Sequence, residues 1–285
     1  MKTLKHLHNL TVLLVILLGA LTIGQTVSAK ESIVLKGSDT MLLLGQGWAE
    51  AYMAQNTEAV IQVNGGGSGV GIAALINGST DICQSSRPIK SSEIDKLKER
   101  FNSPGVEIPV ARDGLSVYLN SENAVTELTM AQLKDIYVGN ITNWKDVGGK
   151  DSRIVLYGRE NSSGTYSYFK EHVLKGADFA PQTQGLPGTG AVVNAVLKDV
   201  NAIGFGGAAY AKNLKFCKMK ADADAASPSY EPTLENVASG VYPLSRYLFW
   251  YLTGKPSGEI KKFVEFVQSE AGQKIVTQVG YFPIK

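Results

Sequence analysis

The sequence predicts an α/β fold built on mostly parallel sheets flanked by helices, and three observations carry that prediction. Short apolar runs alternate with segments of helical period along most of the chain after residue 30. Three strand-to-helix joints are polar turns of similar composition: GSDTM at 37–41, GGGSGVG at 65–71 and GRENSSGTY at 158–166. The chain of 285 residues is long enough for one large domain or two lobes.

Met1–Ala29 stands apart from this pattern. Lys2 and Lys5 precede an apolar run from Leu10 to Ile23, and Val27-Ser28-Ala29 fits a small-residue cleavage site, so the segment reads as a secretory signal peptide cut after Ala29. The run holds Gly19 and Thr22 and is short for a membrane span. Export to the periplasm or beyond follows from this reading. Removing two lysines from the chain's 28 basic residues levels them with its 26 acidic ones, which argues against nucleic acid or an anionic membrane as the main partner. Any anion site must then be local.

Ser32–Lys36 alternates as a strand and leads through GSDTM into a helix over Met41–Gln55 with Leu44, Trp48, Ala51 and Tyr52 at helical spacing. Ala59–Val63 is the next strand, and the glycine-rich turn after it opens a helix carrying Ile72, Leu75 and Ile76, stopped at Asn77-Gly78. That turn lacks the Gly-Lys-Ser/Thr of a nucleotide P-loop, and Val70 stands where a nucleophile elbow wants glycine. Asp81–Ser85 is a strand ending in hydroxyls and Arg87. From Ile108 the run IPVARDGLSVYLN reads as a crossover into a second lobe.

In that lobe Thr129 and Gln132 form a capping box for a helix over Met130–Val138. Ile154–Tyr157 is the strand before GRENSSGTY, whose helix shows Tyr166, Phe169 and Val173 on one face and stops near Lys175-Gly176. A loop follows at Gly185–Thr189, then a helix at Ala191–Leu197 and a strand at Ala202–Phe205. Lys220–Glu231 reads as a loop, Tyr242–Leu252 as a buried strand or helix start, and Gly258–Val267 and Ala271–Gln278 as helices. Trp48, Trp144 and Trp250 read as packing residues. The domain reading is lobe one over 30–111 and 236–285, with lobe two over 112–235 between them.

Helix starts leave backbone N–H groups without partners and carry partial positive charge, so Ser163, Gly164 and Thr165 sit where an anion would be held. Arg159 adds a planar charged fork on the same turn. Alone, such a turn is an ordinary helix cap beside a surface arginine. Three of them at strand carboxyl ends, where α/β sheets bind ligands, favour one enclosed tetrahedral anion. Only His172 remains after the leader, about two turns into its helix, and no cluster of metal-ligating residues is visible, so neither a serine hydrolase nor a metallophosphatase is supported. Cys83 and Cys217 read as free thiols. No catalytic residue, metal or cofactor is expected.

The stretches GSDTM, GGGSGVGIAALINGSTDI, ITNWKDVGG, GRENSSGTY, NAIGFGGAAYA and GQKIVTQVGYFPI resemble the periplasmic phosphate-binding proteins of ABC importers, in order over nearly the whole chain after the leader. The resemblance implies a two-lobed type II periplasmic-binding-protein fold with its cleft between the lobes. It also implies a monomer that closes over inorganic phosphate without altering it and delivers it to an inner-membrane permease driven by a cytoplasmic ATPase. Carried over, Thr40 and Met41 match the first helix-start ligands, Ser68 the hydroxyl donor of the glycine-rich turn, and Arg159, Ser163, Gly164 and Thr165 the ligands of the second lobe. At Ser86 the best-known members carry an aspartate that accepts the phosphate proton and excludes sulfate. Asp39 is a candidate replacement or a helix cap, and Arg87 a candidate ligand at the site edge or a surface cover. Sulfate, molybdate or, as a different class, phosphate-ester hydrolysis remain the alternatives.

Overall fold

A computed structural model of the protein describes residues 32–221 and 227–284; the expected leader lies outside them, as do five residues of the loop read over Lys220–Glu231. The described chain forms two sheets with helices packed on them, the α/β class that the alternation predicts. Strands β1 (Ser32–Gly37), β2 (Val60–Asn64), β3 (Ile82–Ser85), β4 (Val106–Gly114) and β11 (Ser245–Leu252) make the first, in the order β2-β1-β3-β11-β4. Each of β1, β2 and β3 is followed by a helix, respectively α1 (Leu42–Gln55), α2 (Ser68–Ile76) and α3 (Ser91–Phe101). Helical crossovers bring successive strands side by side in the same direction. Hence β1 pairs parallel with both β2 and β3, Leu35 standing opposite Val63 on one side and Ile82 on the other.

The second sheet runs β6 (Glu127–Thr129), β10 (Lys215–Lys220), β5 (Ser116–Leu119), β9 (Ala202–Gly206), β7 (Val155–Arg159), β8 (Gln184–Leu186). Around it lie α4 (Met130–Val138), α5 (Gly164–His172), α6 (Thr189–Lys198) and the short α7 (Leu234–Ala238), while α8 (Gly258–Gln268) and α9 (Glu270–Val279) follow β11. The chain leaves the first sheet at Gly114, enters the second at Ser116, and returns at Ser245, which pairs with Gly114. Strands that carry the chain out and back run opposite to their neighbours, so β11 is antiparallel to β3 and β4, and β5 to β9 and β10. Parallel pairs are therefore only just in the majority, where the sequence suggested mostly parallel sheets.

Each sheet has its own core. Trp48 of α1 meets Trp250 of β11 edge-on at 5.4 Å, and Phe263 of α8 packs on Trp250 at 5.2 Å. Under the second sheet Phe169 of α5 stacks on Phe205 of β9 at 4.0 Å, with Tyr137 of α4 edge-on to both. Trp48, Trp144 and Trp250 are all buried, as packing residues should be. Truncating an aromatic of this kind to alanine costs about 3–5 kcal/mol, so these clusters anchor the elements that end at the site. Cys83 and Cys217 are buried, unbonded thiols, one in each sheet.

Candidate functional site

The three polar turns all end on one small set of buried hydroxyls. At the first, Gly37 has a φ of 144°, and a Cβ there would strike the backbone carbonyl of Gln84, so only glycine lets β1 pass so close to β3. Ser38 N donates to that carbonyl at 2.8 Å. A 3-10 turn at Asp39–Met41 follows and presents Thr40, fully buried, with its carbonyl accepting from Tyr281 Oη at 2.6 Å. At the second turn Gly67, φ 93°, precedes Ser68, the first residue of α2. At the third, β7 delivers Arg159, and Ser163 caps α5 by accepting from Tyr166 N at 3.3 Å.

Thr40 Oγ1 and Thr165 Oγ1 lie 2.8 Å apart, joining the turn after β1 to the first turn of α5. Thr165 Oγ1 is 3.4 Å from Ser86 Oγ, which is 3.4 Å from Ser68 Oγ and accepts from Ser38 Oγ at 3.0 Å. Gly69 N donates to Ser162 O at 2.9 Å, tying the start of α2 to the loop before α5. The cluster thus draws on elements attached to both sheets. Hydroxyls both donate and accept, so each of these bonds is exchangeable for one to an oxyanion.

Arg159, nearly fully buried, borders the cluster through Asp39: Nη2 donates to Asp39 Oδ2 at 2.8 Å and to Glu160 Oε1 at 2.8 Å, and Nη1 to Thr189 Oγ1 at 2.9 Å. Asp39 spends its other oxygen on Gly66 N at 2.8 Å. Its oxygens orient Arg159 and the glycine-rich turn, so Asp39 is not the helix cap that was one of the roles weighed for it. Met41 buries its side chain in the first core, and its amide closes the 3-10 turn onto Ser38 O at 3.0 Å. Gly164 touches the cluster through its Cα face, beside Ser68 and Ser86.

Arg87 turns away. Its two Nη atoms grip Glu93 of α3 at 2.9 and 2.7 Å, as a fork and a carboxylate do when nothing else competes. Sequence reasoning missed Ser38, Asp113 and Arg246. Arg246 Nη2 donates to Thr165 Oγ1 at 3.0 Å and Nη1 to Ser86 O at 3.1 Å, while Asp113 accepts from its Nε and Nη2. The local signal was slight: Asp113 follows Arg112 inside IPVARDGLSVYLN, and Arg246 is the one charge in YPLSRYLFWYL.

Around this cluster the phenols stay neutral. Burial raises Tyr118 and Tyr281 well above the usual tyrosine range and Tyr210 to about 12, and each donates to a backbone carbonyl of the neighbouring turns. His172 stacks on Tyr168 at the far end of α5 and does not reach the hydroxyls. Among the described residues no group of three or more His, Cys, Asp and Glu is placed to hold a metal ion. The arrangement offers donors and exchangeable hydroxyls, with no serine–histidine pair among them.

The PBP superfamily domain matches residues 24–271. The phosphate-binding protein PstS of Pseudomonas aeruginosa is 31% identical over 268 residues, covering 87% of this chain and 81% of that protein; its Bacillus subtilis counterpart is 33% identical over 259 residues, covering 90% and 82%. An ABC-type phosphate transport receptor from Vibrio cholerae has a similar structure, with a TM-score of 0.70 and 32% identity over 88% of this chain and 99% of that one. A Clostridium perfringens protein solved with bound phosphate gives a TM-score of 0.80 and 31% identity over 90% of this chain and 100% of that one.

Proposed function

This chain belongs to the PBP superfamily and, within it, to the phosphate-binding proteins of ABC importers; on that premise we propose that it binds inorganic phosphate outside the cytoplasm and delivers it to an inner-membrane permease. The observation that carries the reading is the buried hydroxyl cluster of Thr40, Ser68, Ser86 and Thr165, drawn from turns on both sheets. We assign the ligand contacts to the Thr40 hydroxyl and amide, the Ser68 hydroxyl, the helix start at Ser163, Gly164 and Thr165, and Arg159 with Asp39 and Glu160 as its orienting carboxylates; the Met41 amide donates to Ser38 O instead. Ser86 joins them as a hydroxyl, and Arg87 belongs to the α3 contact instead.

The chain acts as a monomeric carrier of two lobes, 30–111 with 236–285 and 112–235, and its leader is removed after Ala29. A cytoplasmic ATPase on the permease supplies the energy of uptake. The reading is one of binding without catalysis: the hydroxyls bond to one another and to Arg246, and His172 bonds to Tyr168 O instead. Calorimetric titration of the ligand-stripped protein with phosphate, then with sulfate and molybdate as competitors, tests it. Saturable phosphate binding that neither competitor displaces is expected; preference for either competitor would reassign the ligand.

A further inference from the structure

Two guanidiniums border the hydroxyl cluster, and they are compensated differently. Arg159 donates from Nε and Nη2 to Glu160 and from Nη2 to Asp39, so two carboxylates offset its single charge. Arg246 meets one carboxylate, Asp113, whose Oδ2 accepts from Nε at 3.0 Å and Nη2 at 2.7 Å and whose Oδ1 accepts from Ala208 N at 3.1 Å. The ring of Tyr168 lies against the guanidinium, 5.1 Å from its centre. Clamped on these sides, the fork turns toward the cluster, donating from Nη2 to Thr165 Oγ1 at 3.0 Å and from Nη1 to Ser86 O at 3.1 Å. Thr165 Oγ1 is the same atom that lies 2.8 Å from Thr40 Oγ1.

A desolvated oxyanion needs donors that face it from a guanidinium held in place. Arg159 directs its Nε, Nη1 and Nη2 donors to Glu160, Thr189 and Asp39, whereas the Nη edge of Arg246 lies on the cluster itself. We propose that Arg246, held by Asp113, is a second guanidinium contact for the anion bound at the hydroxyl cluster, which rests on the phosphate reading of that cluster. An ion was not needed there for packing: a buried pair of this kind is often matched or bettered in stability by apolar residues of similar volume. An arginine fork instead offers fixed, planar donors to an oxyanion. Thr165 Oγ1, bonded to Nη2, then shares the anion with Arg246 as a neighbouring contact, and Asp113 acts as a positioning residue.

The test compares phosphate titrations and ligand-free melting of the wild type, Arg246→Gln, Arg246→Lys and the double variant Asp113→Asn/Arg246→Gln, which leaves no buried carboxylate unpaired. Expected is a double variant that melts close to the wild type yet binds phosphate roughly ten- to hundredfold more weakly, the range for losing a charge-assisted hydrogen bond, with Arg246→Lys recovering part of the loss. Phosphate affinity within about threefold of the wild type in the double variant would overturn the assignment. So would a double variant that fails to fold, since the pair would then serve the scaffold. A wild type that binds no phosphate defeats the ligand reading first, and this contact falls with it.

Discussion

Gly164→Ala isolates the close approach on which the site depends. Gly164 opens α5, and a Cβ built on it would lie 2.8 Å from both Ser68 Cβ and Ser86 Oγ and closer still to Ser68 Oγ. None of these neighbours is the loose end of a long side chain; Ser68 and Ser86 are fully buried. The methyl must therefore push α5 away from α2 and the end of β3. Overpacking of this kind costs about 1–3 kcal/mol, which corresponds to roughly five- to 150-fold in affinity if it falls on the arrangement that holds the ligand. The backbone itself is permissive, because Gly164 is not among the residues with positive φ. Alanine also gains up to about 1 kcal/mol of helix propensity over glycine, which offsets part of that cost in the fold. Calorimetric titration with phosphate, paired with thermal melting, separates the two effects. Unchanged affinity, within about threefold, would refute the claim that this approach builds the site.

Other substitutions test neighbouring parts of the account. Arg87→Ala should leave phosphate affinity unchanged while lowering stability by about 1–3 kcal/mol, because it strips a buried charge-assisted pair. Burial raises the Glu93 carboxyl, but hydrogen bonds from Arg87 and the Lys90 amide outweigh it and leave the group below its usual range. A depressed carboxyl contributes stability that is full above its unfolded pKa, near 4.3, and is lost as pH falls through the folded value. Urea unfolding should thus show a shallower acid loss in Arg87→Ala than in the wild type, and parallel curves would contradict the pairing. Burial pushes the Cys217 thiol to about 12 and the Cys83 thiol still higher, so neither should react with a thiol reagent until the protein is unfolded. Rapid labelling of the native protein would count against both placements. Ser86→Asp sets a carboxylate among the hydroxyls; phosphate, which carries a proton to share, should still bind, whereas any residual sulfate binding should vanish. Sulfate binding equal to the wild type would place residue 86 away from the ion.

The sequence made the turns legible because helix starts, glycines and capping residues act locally. The helix over Met130–Val138 appears with those bounds, its Thr129 and Gln132 side chains capping as their spacing requires. Short edge strands at Gln184–Leu186 and Glu127–Thr129 escaped, since three residues carry no period and are held only by their neighbours' ladders. The helix Ser91–Phe101 escaped although Ile94, Leu97 and Phe101 stand at helical spacing, for its charged face is broad and only Leu97 is fully buried. Of the residues read from turn chemistry, Thr40, Ser68, Gly164 and Thr165 meet at the cluster, while Arg159 reaches Asp39 beside Thr40 and Met41 turns its side chain into the core. Those that escaped, Asp113 and Arg246, come from long strands that pair only in the folded sheet, Arg246 standing opposite Asp113 in register. A pairing across more than a hundred residues leaves no local pattern to read. Arg87 misled for the converse reason, because its partner Glu93 lies on that overlooked helix.

The most direct test of the central claim is to locate the ion. Crystals of the protein soaked with arsenate, a tetrahedral stand-in for phosphate whose arsenic scatters anomalously, report its position independently of any affinity. The account predicts one strong anomalous peak within hydrogen-bonding reach of the Thr40, Ser68 and Thr165 hydroxyls and the Arg159 fork. A peak at any other place in the molecule, or density at the cluster that excludes an oxyanion, would contradict it.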